Sequence, residues 1–94
     1  MVESKTVARK FLISGKVQGV GYRYFAQRSA ANHEVRGYVK NLEDGRVESL
    51  AEGSEKAVEG FKHDLLVGPK YSKVDQLEEI VVDPSGRYPN FRIE

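Results

Sequence analysis

The chain opens with a strand-like alternation of apolar and polar residues from Thr6 to Ser14. Apolar side chains occur at both odd and even positions of this segment, which would face opposite sides of a strand. Val7, Phe11 and Ile13 are on one side, and Ala8 and Leu12 are on the other. A strand that is apolar on both faces is typical of the interior of a sheet. From Tyr22 to about Asn32 the spacing becomes helical, with one stripe formed by Tyr22, Phe25, Ala26 and Ala30. This change of period predicts a strand followed by a helix.

Further elements are predicted from the same patterns. Alternation predicts three more strands, over Val35–Asn41, Arg46–Glu52 and Lys73–Val82. Asp44-Gly45 is a hairpin turn signal between the first two of these. In the Arg46–Glu52 strand we expect Val47, Ser49 and Ala51 to face inward and Glu48 and Glu52 to face outward. A second helix is predicted between Ser54, a suitable N-cap, and Gly68-Pro69, with a buried stripe of Val58, Phe61 and Leu65.

The order of elements is strand, helix, strand, strand, helix, strand. This βαββαβ order predicts an α+β fold of the ferredoxin-like, split βαβ type. Two helices would pack on one face of a four-stranded antiparallel sheet, and the other face would stay largely open to solvent. Phe91 and Ile93 alternate at the C-terminus and are compatible with a short additional strand. With 94 residues and no linker, repeat or low-complexity segment, residues 1–94 are expected to form a single domain.

Composition narrows the chemistry that is available. Of the residues, 39% are hydrophobic and 31% charged, which is typical of a soluble globular protein. The absence of cysteine excludes disulfides, thiolate catalysis and Cys-based metal sites. The net charge of +1 gives no reason to expect a nucleic-acid partner. The sequence has neither a long apolar run nor a secretory signal within Met1–Lys10, so we expect no membrane partner and a cytoplasmic location.

The segment from Gly15 to Arg23, called the phosphate loop below, carries the most specific chemical signal. Its three glycines connect the first predicted strand to the first predicted helix. Glycine reaches positive φ easily, so successive N–H groups can turn toward one point, and the helix adds the positive end of its dipole. Arg23 adds a planar fork of donors suited to phosphate. These features indicate an oxyanion site, although the glycines alone are equally compatible with a tight turn.

Two better-known phosphate-binding loops are excluded. A P-loop requires Gly-Lys followed by Ser or Thr, and here Gly15-Lys16 is followed by Val17. A dinucleotide fingerprint starting at Gly19 and Gly21 would need a third glycine at position 24, which is Tyr24.

Two segments together resemble the signatures of the acylphosphatase family. The first is the phosphate loop, Gly15-Lys16-Val17-Gln18-Gly19-Val20-Gly21-Tyr22-Arg23. The second is Gly37-Tyr38-Val39-Lys40-Asn41, which continues through Asp44-Gly45-Arg46-Val47-Glu48. The closing Phe91-Arg92-Ile93 is also similar to the family's C-terminus. The resemblance covers nearly the whole chain, including its size and its order of elements.

This resemblance implies hydrolysis of acyl phosphates to a carboxylate and inorganic phosphate. It implies that Arg23 binds the phosphoryl group and that Asn41 positions the attacking water. The remaining phosphate contacts would come from backbone amides of Gln18, Gly19, Val20, Gly21, Tyr22 and Arg23. No metal or other cofactor is expected. The partners would be a small acyl phosphate and, as product or inhibitor, inorganic phosphate or a similar anion, with a monomer as the expected state.

The residue types fit this substrate class. Neither signature has a His, Asp or Glu at its centre that could act as an acid or base. An acyl phosphate expels a carboxylate, whose conjugate acid has a pKa of ~4, so no general acid is required. The contributions to catalysis that remain are positioning of the reactants and stabilisation of negative charge, and these two dominate phosphoryl transfer. The carboxamide of Asn41 can both accept from and donate to one water, although an Asn before Asp-Gly is also ordinary turn chemistry.

Other functions remain open at this stage. RNA-recognition domains share the order of elements, and Arg36-Gly37-Tyr38 resembles the opening of one of their motifs, but a second exposed aromatic would require Phe11 to face outward. A non-catalytic, phosphate-binding docking domain is a further alternative, against which the presence of Arg23 and Asn41 argues. His33 and His63 share no metal-ligand spacing and are expected to be surface residues at helix ends.

Overall fold

The computed structural model describes residues 5–94 and confirms the predicted order of elements. Its strands are β1 (Thr6–Lys16), β2 (Arg36–Asn41), β3 (Val47–Ser54), β4 (Lys73–Val82) and β5 (Phe91–Ile93), and its helices are α1 (Tyr22–His33) and α2 (Glu55–Val67). The predicted bounds of β4 agree with the structure, whereas β1 and β3 run two residues beyond their predicted ends at Ser14 and Glu52. Neither helix of this described part is long and apolar enough to cross a membrane.

The strands form one sheet in the order β4-β1-β3-β2-β5. As predicted, β1 is an interior strand, and it pairs antiparallel with both β3 and β4. Strand β2 pairs antiparallel with β3. The short fifth strand lies parallel to β2, with Gly37 opposite Phe91 and Val39 opposite Ile93. The sheet therefore consists of the four predicted antiparallel strands and one parallel edge strand.

The core lies between the helices and one face of the sheet. Its largest side chains include Phe11, Ile13, Tyr22, Phe61 and Leu65, each at most 2% exposed. Phe11 packs against Phe61 with ring centroids 6.3 Å apart, and Phe61 contacts Phe91 of β5 at 5.4 Å. Phe11 thus faces the helices and not the open face of the sheet, so the second exposed aromatic expected of an RNA-recognition domain is not at this position. These contacts also attach β5 to the core.

The two helices begin differently. The Oγ of Ser54 accepts a hydrogen bond from the Ala57 N–H (3.1 Å), which confirms it as the N-cap of α2. Helix α1 instead follows Gly21, in a left-handed conformation and with no side-chain cap. The first N–H groups of an α-helix have no intrahelical partner. At α1 these groups belong to the segment that the sequence predicts to bind phosphate.

A polar contact also joins the two helices along their lengths. The Asp64 Oδ2 of α2 lies 2.7 Å from Ser29 Oγ and 3.1 Å from His33 Nε2, both in α1. A Cβ at Gly60 would lie 2.6 Å from the His33 ring, so the absence of a side chain there makes room for the imidazole. His33 is at a helix end, as predicted, but it is half-buried between the helices, because Asp64 and Gly60 lie opposite it.

The prediction that Glu52 faces solvent is wrong. Its side chain does point to the face of the sheet away from the helices, but the residue is only 2% exposed. The segment from residue 83 to 90 crosses this face on its way from β4 to β5, and Ser85 and Gly86 contact the carboxylate. Ala8, opposite Glu52 in the β1–β3 register, is fully buried as a result. The open face is therefore partly covered.

Candidate active site

The phosphate loop turns sharply between β1 and α1. Gly19 and Gly21 have φ values of 74° and 76°, a region that residues with a Cβ rarely adopt. A Cβ at either position would meet no atom within 4 Å, so the backbone conformation, and not crowding, accounts for these glycines. The left-handed turns direct the backbone into the start of α1, where the Phe25 N–H donates to the Gly21 carbonyl (3.0 Å). The loop and the helix N-terminus thereby form one concave surface.

A small cavity of about 110 Å³ lies on this surface. It is lined by Val17, Gln18, Gly19, Gly21, Tyr22, Arg23, Tyr24 and Asn41. The structure therefore brings Asn41, at the end of β2, together with the phosphate loop at the entry to α1. Of the other residues predicted to bind phosphate, Val20 does not line the cavity, and its side chain packs against the core. The volume corresponds to a phosphoryl-sized group and not to a large ligand.

Arg23 is held from one side by the end of the chain described here. Its Nη1 donates to the main-chain oxygen of Glu94 (3.0 Å), and the Glu94 N–H in turn donates to the Val39 carbonyl (2.8 Å). A guanidinium has five donor N–H groups, so this contact leaves donors for a ligand. Fixing one edge of the planar fork also restricts where the other edge can point. The position of Arg23 thus depends on β2 and on the residues after β5.

Asn41 is the last residue of β2 and pairs with Val47 across the hairpin. It is exposed, and it is one of the residues that line the cavity. Its neighbouring turn is held by the carboxylate of Asp44, which accepts from the Arg46 N–H (3.1 Å) and from its Nε (2.9 Å). The turn chemistry that Asp-Gly predicts is therefore present directly after the Asn41 that lines the cavity.

Gln18 joins the phosphate loop to this hairpin. Its Nε2 donates to the main-chain oxygens of Leu42 and Arg46, each at 2.9 Å. The Leu42 N–H also donates to the Arg46 oxygen (2.8 Å), so the amide of Gln18 completes a small closed network. Sequence reasoning considered only the backbone of Gln18. Its partners lie 24 and 28 residues further along the chain, and no local pattern indicates them.

The two tyrosines at the cavity have different environments. Tyr22 is 2% exposed, and its hydroxyl donates to the Leu65 main-chain oxygen (2.7 Å). Burial raises the pKa of this phenol above its ordinary value of 10.0, so it stays protonated and is directed away from the cavity. Tyr24 is 69% exposed. It is nevertheless one of the residues that line the cavity.

The cavity can bind an anion and orient a small molecule, but its lining has no carboxylate, imidazole or thiol. Within residues 5–94, no group of three or more His, Asp or Glu side chains is arranged to hold a metal ion. Apart from two phenols, the polar side chains of the lining residues are one guanidinium and two carboxamides, and the loop adds its backbone amides. Such a set stabilises negative charge by preorganised donors and does not transfer protons.

Comparisons with known proteins identify the family and the fold. A family model described as acylphosphatase matches residues 9–93. A curated acylphosphatase from Thermus thermophilus is 51% identical over 67 residues, which are 71% of this chain and 76% of that protein. The crystal structure of acylphosphatase from Bacillus subtilis superposes with a TM-score of 0.90 at 38% identity, covering 94% of this chain and 98% of that one. An acylphosphatase structure from Coxiella burnetii gives 0.90 at 28% identity, with full coverage of both chains.

Proposed function

Because this chain belongs to the acylphosphatase family and is a hydrolase acting on acyl phosphates, we propose that the phosphate loop, Arg23 and Asn41 carry its reaction. The observation that supports this assignment is the shared cavity. Two segments that are distant in sequence contribute an anion-binding loop and a carboxamide to the same volume of about 110 Å³. We propose that the phosphoryl group of the substrate occupies this cavity and that the acyl group lies outside it, near Tyr24.

The phosphoryl group is bound by two kinds of donor. Backbone amides of residues 18–23 surround its oxygens, and the dipole of α1 adds a positive potential at the same point. The guanidinium of Arg23 supplies a bidentate contact. Because Glu94 already holds one edge of this guanidinium, the donors are in place before the substrate arrives. Charge that spreads over the non-bridging oxygens in the transition state is then stabilised without reorganisation.

Asn41 positions the nucleophile. Its side-chain oxygen accepts one hydrogen bond from a water, and its amide nitrogen donates one, which fixes the direction of the water's lone pair. Placement of the water in line with the leaving group lowers the barrier by removing the entropy cost of orientation. Gln18 maintains the position of Asn41 relative to the phosphoryl group, because it joins the loop that holds this group to the hairpin that carries Asn41.

The reaction breaks the bond between the phosphorus and the carboxylate oxygen and forms a bond between the phosphorus and the water oxygen. The carboxylate leaves as an anion because its conjugate acid has a pKa of ~4, so no proton donor is needed. The proton of the water passes to a phosphoryl oxygen of the substrate. Tyr22 takes no part as an acid, since its hydroxyl donates to Leu65 and its pKa is raised by burial.

The test is hydrolysis of benzoyl phosphate at neutral pH in the presence of a chelator. We expect rapid, metal-independent turnover by the wild type and little hydrolysis of a phosphate monoester, whose alkoxide is a much poorer leaving group. Arg23→Ala should impair both binding and turnover, and Arg23→Lys should also be poor because it keeps the charge but loses the fork. Asn41→Ala should lower kcat by about 10²–10³-fold with a smaller effect on KM.

A matched control is Arg28→Ala, which removes an exposed cation from the same helix as Arg23. It should leave both kcat and KM near the wild-type values. Near-normal turnover by a folded Asn41→Ala variant would contradict the water-positioning role. An inactive, folded wild type that still binds inorganic phosphate would favour the docking-domain alternative. The cytoplasmic location, the monomeric state and the lack of a nucleic-acid partner stay predictions from the sequence.

A further inference from the structure

A second cavity lies on the face of the sheet away from the helices and is called the rear cavity here. Its volume is about 380 Å³, and it lies between β2, β5 and the end of the segment that covers this face. The side chains that matter for its chemistry are Tyr38, Lys40, Arg87, Tyr88, Arg92 and Glu94. Residues 38 and 40 alternate with Val39 and Asn41 along β2, so the rear cavity and the active site are on opposite faces of the same strand.

The lining of the rear cavity has more basic than acidic side chains. Three basic side chains, Lys40, Arg87 and Arg92, line it together with one carboxylate, that of Glu94. Arg92 pairs with Glu94 (3.2 Å) and Lys40 pairs with Glu48 beside the cavity (3.8 Å), so an anion would compete with these carboxylates for two of the cations. This differs from the chain as a whole, in which 15 basic and 14 acidic residues nearly balance. Arg87 forms no ion pair with any residue in the range 5–94 that the structure describes. A concentration of cations in one concave site attracts a polyvalent anion.

The cations are held in place by aromatic rings. The Lys40 ammonium lies 5.6 Å from the centroid of Tyr38, and the Arg87 guanidinium lies 5.8 Å from that of Tyr88. The two rings are themselves 6.0 Å apart, and the Tyr38 hydroxyl donates to Glu48 Oε2 (2.5 Å). The aromatic pair therefore restricts two of the three cations before any ligand binds, which lowers the entropy cost of binding.

The wall that carries Arg87 and Tyr88 is also fixed to the sheet. The buried Glu52 carboxylate accepts from the Ser85 N–H (2.9 Å), the Ser85 hydroxyl (2.8 Å) and the Gly86 N–H (3.2 Å). At the other end of the segment, the Asn90 carbonyl accepts from the Gly37 N–H (3.1 Å). The rear cavity is thus formed by an anchored segment over a sheet, and the Arg87 and Arg92 side chains in its lining are exposed to solvent.

We propose that the rear cavity is a second anion site, distinct from the active site, and that it binds a diphosphate group. Its three cations come from β2, from the covering segment and from β5, so each can contact a different oxygen of a ligand with several negative charges. The cavity is also larger than the active-site cavity of about 110 Å³. A diphosphate group could come from inorganic pyrophosphate or from a nucleoside diphosphate, and these two sources share the same chemistry toward Lys40, Arg87 and Arg92.

The experiment is an NMR titration of the full ¹⁵N-labelled chain at constant ionic strength, with pyrophosphate, ADP and adenosine as separate probes. Saturable shifts of the backbone amides of Tyr38, Lys40 and Arg87 report on the rear cavity, and those of Gly19 and Gly21 report on the active site. We expect pyrophosphate and ADP, but not adenosine, to shift the first set. Arg87→Ala and Arg92→Ala should each raise the Kd for this set on the order of tenfold, since each removes a charge-assisted contact.

Arg28→Ala, which removes an exposed cation elsewhere, is the matched control and should leave that Kd unchanged. Tighter binding of ADP than of pyrophosphate supports the proposal and indicates that the diphosphate group belongs to a nucleotide. Equal or weaker binding of ADP also supports the proposal and indicates inorganic diphosphate as the ligand. Shifts confined to the phosphate loop would overturn the proposal. So would shifts of the rear-cavity amides that are not saturable or that persist in the Arg87→Ala and Arg92→Ala variants. Circular dichroism of each variant establishes that the fold is retained.

Discussion

Replacement of Glu52 by Gln tests how the covering segment is attached to the sheet. The two side chains have nearly the same shape, so the substitution leaves packing unchanged and replaces one acceptor oxygen by a donor NH₂. Three donors, two from Ser85 and one from Gly86, converge on the wild-type carboxylate. In the variant at least one of these donors faces another donor. The loss of folding stability in the variant is therefore electrostatic and does not arise from a packing cavity.

The magnitude follows from the number of hydrogen bonds that the substitution removes. A hydrogen bond to a charged group contributes roughly 1.5–3 kcal/mol. Ser85 and Gly86 are themselves exposed, so water can accept from a donor that loses its partner in the variant. The Gln oxygen keeps at least one of the three bonds. We therefore expect Glu52→Gln to lower the free energy of unfolding at pH 7 by about 1.5–3 kcal/mol. This is a large share of the roughly 5–15 kcal/mol that stabilises a typical domain.

The effect should depend on pH. Burial alone raises the pKa of Glu52, but the hydrogen bonds from Ser85 and Gly86 and the charge of Arg36 lower it more, so the net pKa lies below the ordinary value of 4.5. The folded state therefore favours the ionised form. This contribution to stability is fully present above pH 4.5 and is lost as the pH falls through the folded-state pKa. The difference between wild type and Glu52→Gln should shrink accordingly.

Urea unfolding of both proteins at pH 7 and near pH 3 measures this difference, with the m-value as a check on the unfolded state. Glu78→Gln serves as the control, because Glu78 is also on a strand but is exposed. A difference between wild type and Glu52→Gln that stays constant across this pH range would refute the role of the charge. The absence of any difference at pH 7 would refute the role of the three hydrogen bonds.

Three further substitutions test the site and its support. Gln18→Met keeps the length of the side chain but removes both donated bonds, and steady-state kinetics should show kcat for benzoyl phosphate falling more than KM rises, on the order of tenfold. Gly37→Ala would place a Cβ 1.9 Å from the Leu50 carbonyl oxygen at a φ of 142°, so denaturant melts should show a loss of about 3 kcal/mol or more. Tyr22→Phe removes the hydroxyl that donates to Leu65. It should lower the free energy of unfolding in urea by about 1 kcal/mol, with an unchanged m-value and near-normal turnover.

Local patterns were sufficient to predict most of the fold. Alternation and helical spacing in the sequence identified six elements, and Ser54 and Gly68 mark the ends of α2 as predicted because capping depends on adjacent residues. The two signatures also placed Arg23 and Asn41 correctly at a helix entry and a strand end. Whether these two side chains meet is a question of tertiary structure. Their shared cavity depends on how β1, β2 and α1 pack together.

The features that were not predicted depend on contacts between distant residues. Glu52 has the polar side chain and the alternation of a solvent-facing strand residue. Only the path of residues 83–90 across the sheet makes it buried. The side-chain role of Gln18 and the contact between Arg23 and Glu94 have the same origin. In each case a polar group satisfies a main-chain group far away in the sequence, and local propensity contains no information about such partners.

The interior position of β1 has a consequence for the time course of folding. Its partners come from the middle and the far end of the described chain, with Thr6 opposite Ser54 and Ala8 opposite Val82. During synthesis on a ribosome, this strand therefore emerges long before either neighbour, and its apolar side chains stay without their native cover. Distant pairings of this kind also slow folding, because chain entropy must be lost before they form. We expect slow, all-or-none folding only after β4 has left the ribosome.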